Sequence, residues 1–204
     1  MAGAAADADQ NEPIDEPMSE QITTRLRELA EIAMETAARL GSDIDRAADM
    51  IRETVHRGGT LFFCGNGGSA ADAQHLATEY VVRYMRNRRA LRAIALTTDS
   101  SLLTAAANDL GFDEIFARQI EALATGGDLL IVHSTSGQSP NVLRAAQEAR
   151  RKGVLVLAFS ARGGGPLREI ADHSVVVPTE RTDRAQEIHL CIEHAICEAV
   201  EADL

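Results

Sequence analysis

Apolar residues along this chain first follow a helical spacing and then fall into short continuous runs. From Met18 they recur every three or four positions, which predicts one helix that ends at Gly41 and a second that is capped by Ser42 and runs to Gly58. Runs short enough for strands follow at 61–64, 93–96, 129–132, 154–159 and 175–177. Helical patterns separate them at 112–123, 141–151 and 184–200.

Strands and helices that alternate in this way indicate a parallel sheet with helices on both faces. The ligand site of such a fold lies beyond the carboxyl ends of the strands. The two N-terminal helices precede the first strand, so we expect them to pack outside it, against a subunit neighbour. Residues 1–17 are mostly Ala, Asp, Glu and Pro and are predicted to be a disordered leader, which leaves 18–204 as a single domain.

A glycine-rich turn at 65–68 follows the first strand, and Ser69 then stands where a helix N-cap belongs. Such a turn directs backbone N–H groups and the positive end of the helix dipole at one spot, where phosphate binds well. The helix that follows sets three polar side chains at four-residue intervals along one face: His75, Glu79 and Arg83.

A second polar loop, at 133–140, follows the third strand and carries four hydroxyl side chains and one glycine. Hydroxyl and backbone donors at a strand-to-helix turn can bind an anion. Because Ser, Thr and Gly are also common in ordinary loops, the segment alone is weak evidence. Two such loops at adjacent strand ends are more informative than either one.

His75 and Glu79 can reach one metal ion or one substrate atom together, because residues four apart stack on the same helix face. A surface His–Glu pair is the alternative. Gln186 and His194 lie on the last helix, eight positions or about 12 Å apart. If both serve one centre, either that helix is irregular near Gln186 or different subunits contribute.

Composition excludes several classes of function. The net charge is −11 and the longest basic run is only 86–89, which argues against a nucleic-acid binder. Lys152 is the sole lysine and lies at a helix end before a strand, on the edge of the sheet opposite the ligand crevice. Schiff-base, pyridoxal-phosphate and Walker-type chemistry each require a lysine at the reacting centre and are therefore excluded.

Three cysteines, an odd number with no Cys-x-x-Cys spacing, indicate reduced thiols in a cytoplasmic protein. Cys64 flanks the glycine turn and is interpreted as a packed small hydrophobe rather than a reactive thiol. No apolar stretch approaches the roughly 20 residues that span a bilayer, and the acidic N-terminus does not resemble a secretory signal. The sequence therefore predicts no membrane partner.

Taken together, these segments resemble the sedoheptulose-7-phosphate isomerases, or phosphoheptose isomerases, of the sugar isomerase (SIS) domain superfamily. The resemblance runs in order over about residues 20–202. The matching segments are Gly-Asn-Gly-Gly-Ser at 65–69, His-Leu-Ala-Thr-Glu at 75–79, Asn-Asp at 108–109, Ser-Thr-Ser-Gly at 134–137 and Arg-Ala-Gln-Glu-Ile-His at 184–189.

The resemblance implies a three-layer, flavodoxin-like α/β/α sandwich with a five-stranded parallel sheet, assembled as a homotetramer with active sites at subunit interfaces. It implies conversion of sedoheptulose 7-phosphate to D-glycero-D-manno-heptose 7-phosphate, the first step towards activated heptose for lipopolysaccharide. By similarity, one zinc ion per subunit would be held by His75, Glu79, Gln186 and His194. The substrate would contact Asn66, Gly67, Gly68, Glu79, Asn108, Asp109, Ser134, Thr135, Ser136, Ser139 and Gln186, with Arg83 and Asp183 nearby.

Glu79 and His194 are the expected catalytic pair, since aldose–ketose isomerisation through a cis-enediol needs a base and an acid that work near neutral pH. Which of them takes the first proton stays open. The chain departs from the family pattern at Ala70-Ala71, at Arg89 and at His133, which replaces an aliphatic residue and which we expect to face solvent. None of these departures removes a ligand.

Two alternatives remain. One is a non-catalytic SIS protein, either a factor that binds the replication initiator or a sugar-phosphate sensor; that branch resembles this fold but lacks the pair found here at Glu79 and His194. The other is an isomerase of arabinose 5-phosphate or of a hexulose phosphate. The arabinose enzymes usually carry regulatory domains for which 204 residues leave no room.

Overall fold

The computed structural model describes residues 17–204, so the predicted leader lies, except for Pro17, outside the described residues. The strands are β1 (Leu61–Gly65), β2 (Ala93–Ala95), β3 (Leu129–Ser134), β4 (Leu155–Ser160) and β5 (His173–Val176). The helices are α1 (Met18–His56), α2 (Gly68–Val81), α3 (Ser100–Asp109), α4 (Ala117–Leu123), α5 (Pro140–Arg151), α6 (Gly165–Ile170) and α7 (Thr182–Ala202). None of the helices in this part of the chain is both long enough and apolar enough to cross a bilayer.

All five strands run parallel, in the order β2-β1-β3-β4-β5. This is the flavodoxin-like order, and it confirms the predicted sheet. The chain moves from β1 to one side for β2 and returns to the other side for β3, so the topological switch point lies between β1 and β3. Ligands of open α/β sheets bind in the crevice at that point.

Two apolar cores, one on each face of the sheet, make the molecule a three-layer sandwich. Phe63 points into the core formed with α1, α2 and α7, whereas Phe62 and Cys64 point into the core formed with α3 to α6. Burial raises the pKa of the Cys64 thiol to about 12. The prediction that Cys64 is a packed hydrophobe is therefore confirmed.

The N-terminal segment is one helix of 39 residues, so the predicted break at Gly41 is wrong. The apolar stripe continues across the glycine, with Leu40 and Ile44 packed on the same core. A glycine inside a helix costs only about 1 kcal/mol. Continuous packing on both sides of Gly41 outweighs that cost.

The predicted boundaries of α2 also need correction. The helix begins at Gly68 with Gly67 as its N-cap, so Ser69 lies buried in its first turn and caps nothing. It ends at Val81, and Arg83 is exposed beyond it. Arg83 therefore does not continue the face that carries His75 and Glu79.

A buried ion pair explains why α2 stops where it does. The Glu201 carboxylate accepts hydrogen bonds from three consecutive backbone amides, at 2.7 Å from Tyr84 and 2.8 Å from both Met85 and Arg86. Arg88 lies 3.1 Å from the same carboxylate and donates to the carbonyls of Tyr80 and Glu79 at 2.8 and 2.7 Å. The pair turns the chain away from the helix and caps the last turn of α2.

Two further predictions concern elements on the other face of the sheet. The predicted helix 112–123 is divided into a 3₁₀ turn (Phe112–Glu114) and α4, and α3 and α6 were not predicted.

Lys152 donates from Nζ to the carbonyl of Ile120 at 3.1 Å and to that of Glu121, which caps α4. Since it follows α5 and precedes β4, it lies at the amino edge of the sheet, as predicted.

Candidate active site

The loops after β1 and β3 meet at the switch point, because Gly65 and His133 are register partners at the ends of these strands. The side-chain amides of Asn66 and Asn141 join the loops by two reciprocal hydrogen bonds of 2.9 and 2.8 Å. Asn141 is buried and was not predicted from the sequence. Its position directly after the helix-starting Pro140 was the only available signal.

Gly67 and Gly68 let the start of α2 approach α7 closely. Gly67 has a φ of +57°, in the left-handed region that favours glycine. A Cβ on Gly68 would lie 2.6 Å from both Nε2 and Oε1 of Gln186. The predicted ligand Gln186 thus lies directly over the glycine turn.

Changing Gly68 to alanine is expected to move Gln186 and to lower kcat/KM for the phosphosugar that the resemblance implies at least about tenfold, the usual cost of disturbing a residue that orients an active site. Gly68 is helical and its clash is with the end of a flexible side chain, so the free energy of unfolding should change by less than about 1 kcal/mol. Steady-state kinetics and urea unfolding measure the two effects. Gly41→Ala is the matched control, since nothing lies within 4 Å of its Cβ position; equal kinetics in both variants would contradict the expectation.

Three predicted residues form a compact cluster between α2 and α7. His75 Nε2 lies 2.8 Å from His194 Nε2 and 3.4 Å from Glu79 Oε1. One ligand atom from each residue lies within 4.8 Å of the others. The cluster combines a carboxylate with two imidazoles, which are groups that transfer protons near neutral pH and bind metal.

The cluster suits a divalent metal such as zinc. Two ligand nitrogens about 2.0–2.1 Å from one tetrahedral zinc ion lie about 3.3 Å apart. The 3.4 Å between His75 and Glu79 matches that spacing, whereas the 2.8 Å between the two imidazole nitrogens is a hydrogen-bond distance that metal binding would lengthen. Imidazole and carboxylate are also ordinary zinc ligands, so the donor set fits the group that the resemblance implies.

Helix α7 lies beside α2, and the contacts between them advance in the same direction along both helices. Gln186 contacts the start of α2 at Gly68, and His194 contacts His75 about two turns further along. Helix α7 is continuous from Thr182 to Ala202, so the alternative of an irregular helix near Gln186 is not observed. Gln186 and His194 therefore remain about 12 Å apart along the axis.

Tyr84 stacks on His194, with ring centroids 5.3 Å apart and an interplanar angle of 19°. The turn that Glu201 and Arg88 hold places the tyrosine there. Sequence reasoning missed this residue because the stacking depends on a turn whose anchor lies 117 positions away.

The segment after β4 holds the backbone of the loop that carries Ser134, Thr135 and Ser136. The Ala161 amide donates to the Thr135 carbonyl at 3.1 Å, and the Leu167 amide donates to the Gly137 carbonyl at 3.1 Å. Gly137 has a φ of +63°, and a Cβ there would lie 1.9 Å from the Gly164 carbonyl oxygen. The backbone is thus fixed, and Ser139 is the N-cap of α5, whose dipole favours an anion at this loop.

The remaining predicted residues have exposed side chains and bond to residues outside the cluster or to none in the described chain. Asn108 donates to Asp109 at 2.7 Å, and both are exposed at the end of α3. Asp183 is exposed in the first turn of α7 and pairs with Arg181, whose hydrogen bonds hold the pKa of that carboxyl at about 2. Neither these three predicted residues nor Arg83 makes a hydrogen bond to a cluster residue in the part of the chain that the structure describes.

His133 is completely buried, so the expectation that it faces solvent is wrong. Its Nε2 lies 2.8 and 2.9 Å from the two carboxylate oxygens of Glu193, which is also buried. Burial by itself would lower the pKa of His133, but Glu193 outweighs that effect and the pKa lies above its usual value. The partner is 60 residues away, and no local pattern indicated it.

Comparison with known proteins gives consistent results. A family model for the SIS domain matches residues 26–161. The phosphoheptose isomerase of Akkermansia muciniphila is 44% identical over 187 residues, which is 92% of this chain and 98% of that protein. That of Chlorobaculum parvum is 57% identical over 172 residues, 82% of each chain.

The same similarity holds in three dimensions. The solved phosphoheptose isomerase from Neisseria gonorrhoeae superimposes with a TM-score of 0.86 at 38% identity, covering 91% of this chain and all of the other. A sugar isomerase domain of a transcription factor from Sphaerobacter thermophilus superimposes with a TM-score of 0.64 at 19% identity, which is a likeness of fold alone.

Proposed function

The chain belongs to the SIS domain family and within it to the phosphoheptose isomerases, and from that premise we propose that it converts D-sedoheptulose 7-phosphate to D-glycero-D-manno-heptose 7-phosphate. The reaction is an aldose–ketose isomerisation. The observation that carries the proposal is the cluster of His75, Glu79 and His194 on α2 and α7, the two helices that meet at the glycine turn through Gly68 and Gln186. A protein that only senses a sugar phosphate needs the loop but not the acid–base cluster.

The hydroxyl loop and the start of α5 bind the phosphate, which fixes the far end of an open-chain sugar. At the reacting end, one member of the Glu79 and His194 pair removes a proton from C1 and the other protonates O2, which gives a cis-enediol. Loss of the O1 proton and protonation at C2 then complete the aldose. Each proton transfer of this kind contributes about 10²- to 10⁴-fold to the rate.

We propose His75, Glu79, Gln186 and His194 as the residues that would hold one zinc ion per subunit. When bound, zinc supplies a Lewis acid that polarises a carbonyl oxygen. A glutamate engaged as a ligand is a weaker base, so Glu79 serves best as a base when its contact with the metal is loose. Gln186, across the Gly68 turn, would complete the set.

Assembly into a homotetramer, with active sites at subunit interfaces, belongs to the same proposal. The amino half of α1 supports it, because the large apolar side chains of Met18, Ile22, Leu26 and Met34 are all more than half exposed. A neighbouring subunit would then bring predicted substrate contacts, such as Asn108 and Asp109, to the cluster. We further propose that residues 18–204 form one domain and that the enzyme works in the cytoplasm, at the first step of activated-heptose biosynthesis.

Incubation of the purified protein with sedoheptulose 7-phosphate in deuterated water, followed by NMR, tests the proposed activity. We expect an aldose product and deuterium at the exchanged carbon, with turnover reduced by a chelator and restored by zinc. Binding of the phosphosugar without product or deuterium uptake would overturn the proposal and favour a sensor.

A further inference from the structure

A buried pair connects the two halves of the candidate site. His133 on β3 and Glu193 on α7 are 0% and 2% exposed, and the imidazole contacts both carboxylate oxygens. The ring also stacks between Phe63 and Phe159, with centroid separations of 6.4 and 5.7 Å. The pair thus lies in the interior between aromatic rings, with the His189 ring 6.4 Å from that of His133.

Stability alone does not account for such a pair. Two buried ionisable groups lose their hydration, and apolar residues of similar volume at both positions are often as stabilising or more so. Phe63, Phe159 and aliphatic residues belong to the same core, so leucine side chains at both positions would match these neighbours in polarity. A directional contact at this position is useful because it fixes the relative positions of the two elements that carry the pair, β3 and α7.

The sequence neighbours of His133 and Glu193 indicate which parts of the site the pair positions. His133 immediately precedes Ser134, the first hydroxyl of the phosphate loop, and Glu193 immediately precedes His194 of the acid–base cluster. The hydrogen bonds between them thus join the backbone of β3 at the loop to the backbone of α7 at the cluster. No other hydrogen bond between side chains of β3 and α7 is found in the described chain.

We propose that His133 and Glu193 are positioning residues, which hold the phosphate loop and His194 at the separation that the bound sugar phosphate requires. This inference rests on the proposed isomerase function. Neither residue touches the substrate. Because a misplacement of about 1 Å can cost about 10²-fold in rate, a contact that fixes this separation acts on the chemical step rather than on binding.

The test is the double variant His133→Leu/Glu193→Leu, compared with wild type and with His133→Gln. The double variant should unfold at an equal or higher urea concentration, yet its kcat should fall about 10- to 100-fold with KM within about threefold. His133→Gln keeps an N–H donor for Glu193 and should retain kcat within about threefold of wild type. A double variant with wild-type kcat, or a His133→Gln variant as slow as the double variant, would overturn the positioning role.

A second measurement does not depend on turnover. The chain has six histidines, so ¹⁵N-histidine labelling gives a small set of imidazole signals. In the double variant the signals of His75 and His194 should shift, whereas those of the distant His56 and His173 should not. Unchanged His194 signals would overturn the positioning proposal whatever the wild-type activity is, and a wild type without turnover would overturn the isomerase function alone.

Discussion

Replacing Glu79 with glutamine is expected to lower kcat for sedoheptulose 7-phosphate about 10²- to 10⁴-fold, because the amide can neither accept nor return a proton. Glutamine has almost the same volume as glutamate, and the Glu79 side chain is only 18% exposed, so the fold should be preserved. Initial rates by NMR or a coupled assay, together with urea unfolding, measure the two effects.

The control is Glu169→Gln, which makes the same chemical change on the exposed surface of α6 and should leave kcat unchanged. Zinc content should be determined for both proteins, because Glu79 is also a proposed ligand. If Glu79→Gln binds as much zinc as wild type and keeps more than a tenth of its kcat, Glu79 is not the proton-transfer group.

The sheet could be predicted from the sequence because the apolar pattern that marks a strand lies within the strand itself. The runs that form the central strands β1, β3 and β4 are short, lie between loops and are buried on both faces, so their unbroken apolar character marks them. The edge strands β2 and β5 are only partly buried. The two glycine- and hydroxyl-rich loops could be located for the same reason. Parallel topology then brings both to one edge of the sheet.

Features that depend on distant partners could not be predicted in this way. The break expected at Gly41 follows from local glycine propensity, and packing on the core overrides it. His133 was expected to face solvent because it stands at the end of a strand, and its partner Glu193 lies on another element 60 positions away. Gly68 was interpreted as part of the glycine-rich turn, whereas the structure shows that it begins α2 and makes room for Gln186.

Replacing Glu201 with alanine is expected to lower the free energy of unfolding by about 3–5 kcal/mol, the usual cost of removing one partner of a buried ion pair. The change would leave three backbone amides and Arg88 without their acceptor. Glu198→Ala, on an exposed position of the same helix, should change stability by less than about 0.5 kcal/mol. Urea unfolding at one fixed protein concentration measures both, since assembly would otherwise shift the midpoint.

The pH dependence separates loss of this carboxylate from general loosening of the helix. Burial would raise the pKa of Glu201, but its hydrogen bonds to the amides and the charge of Arg88 outweigh that effect and hold the pKa below its usual value. A carboxyl with a lowered pKa stabilises the fold fully above its unfolded value of about 4.3, and the contribution is lost as the pH falls through the folded pKa. The stability difference between wild type and Glu201→Ala should therefore be constant from pH 6 to 8 and shrink below about pH 4. Should the alanine variant fail to fold, Glu201→Gln can replace it, because glutamine keeps an acceptor. It should lose less free energy of unfolding than the alanine variant, with the same pH trend. A stability difference from wild type that does not depend on pH, in either variant, would contradict the ionic role of Glu201.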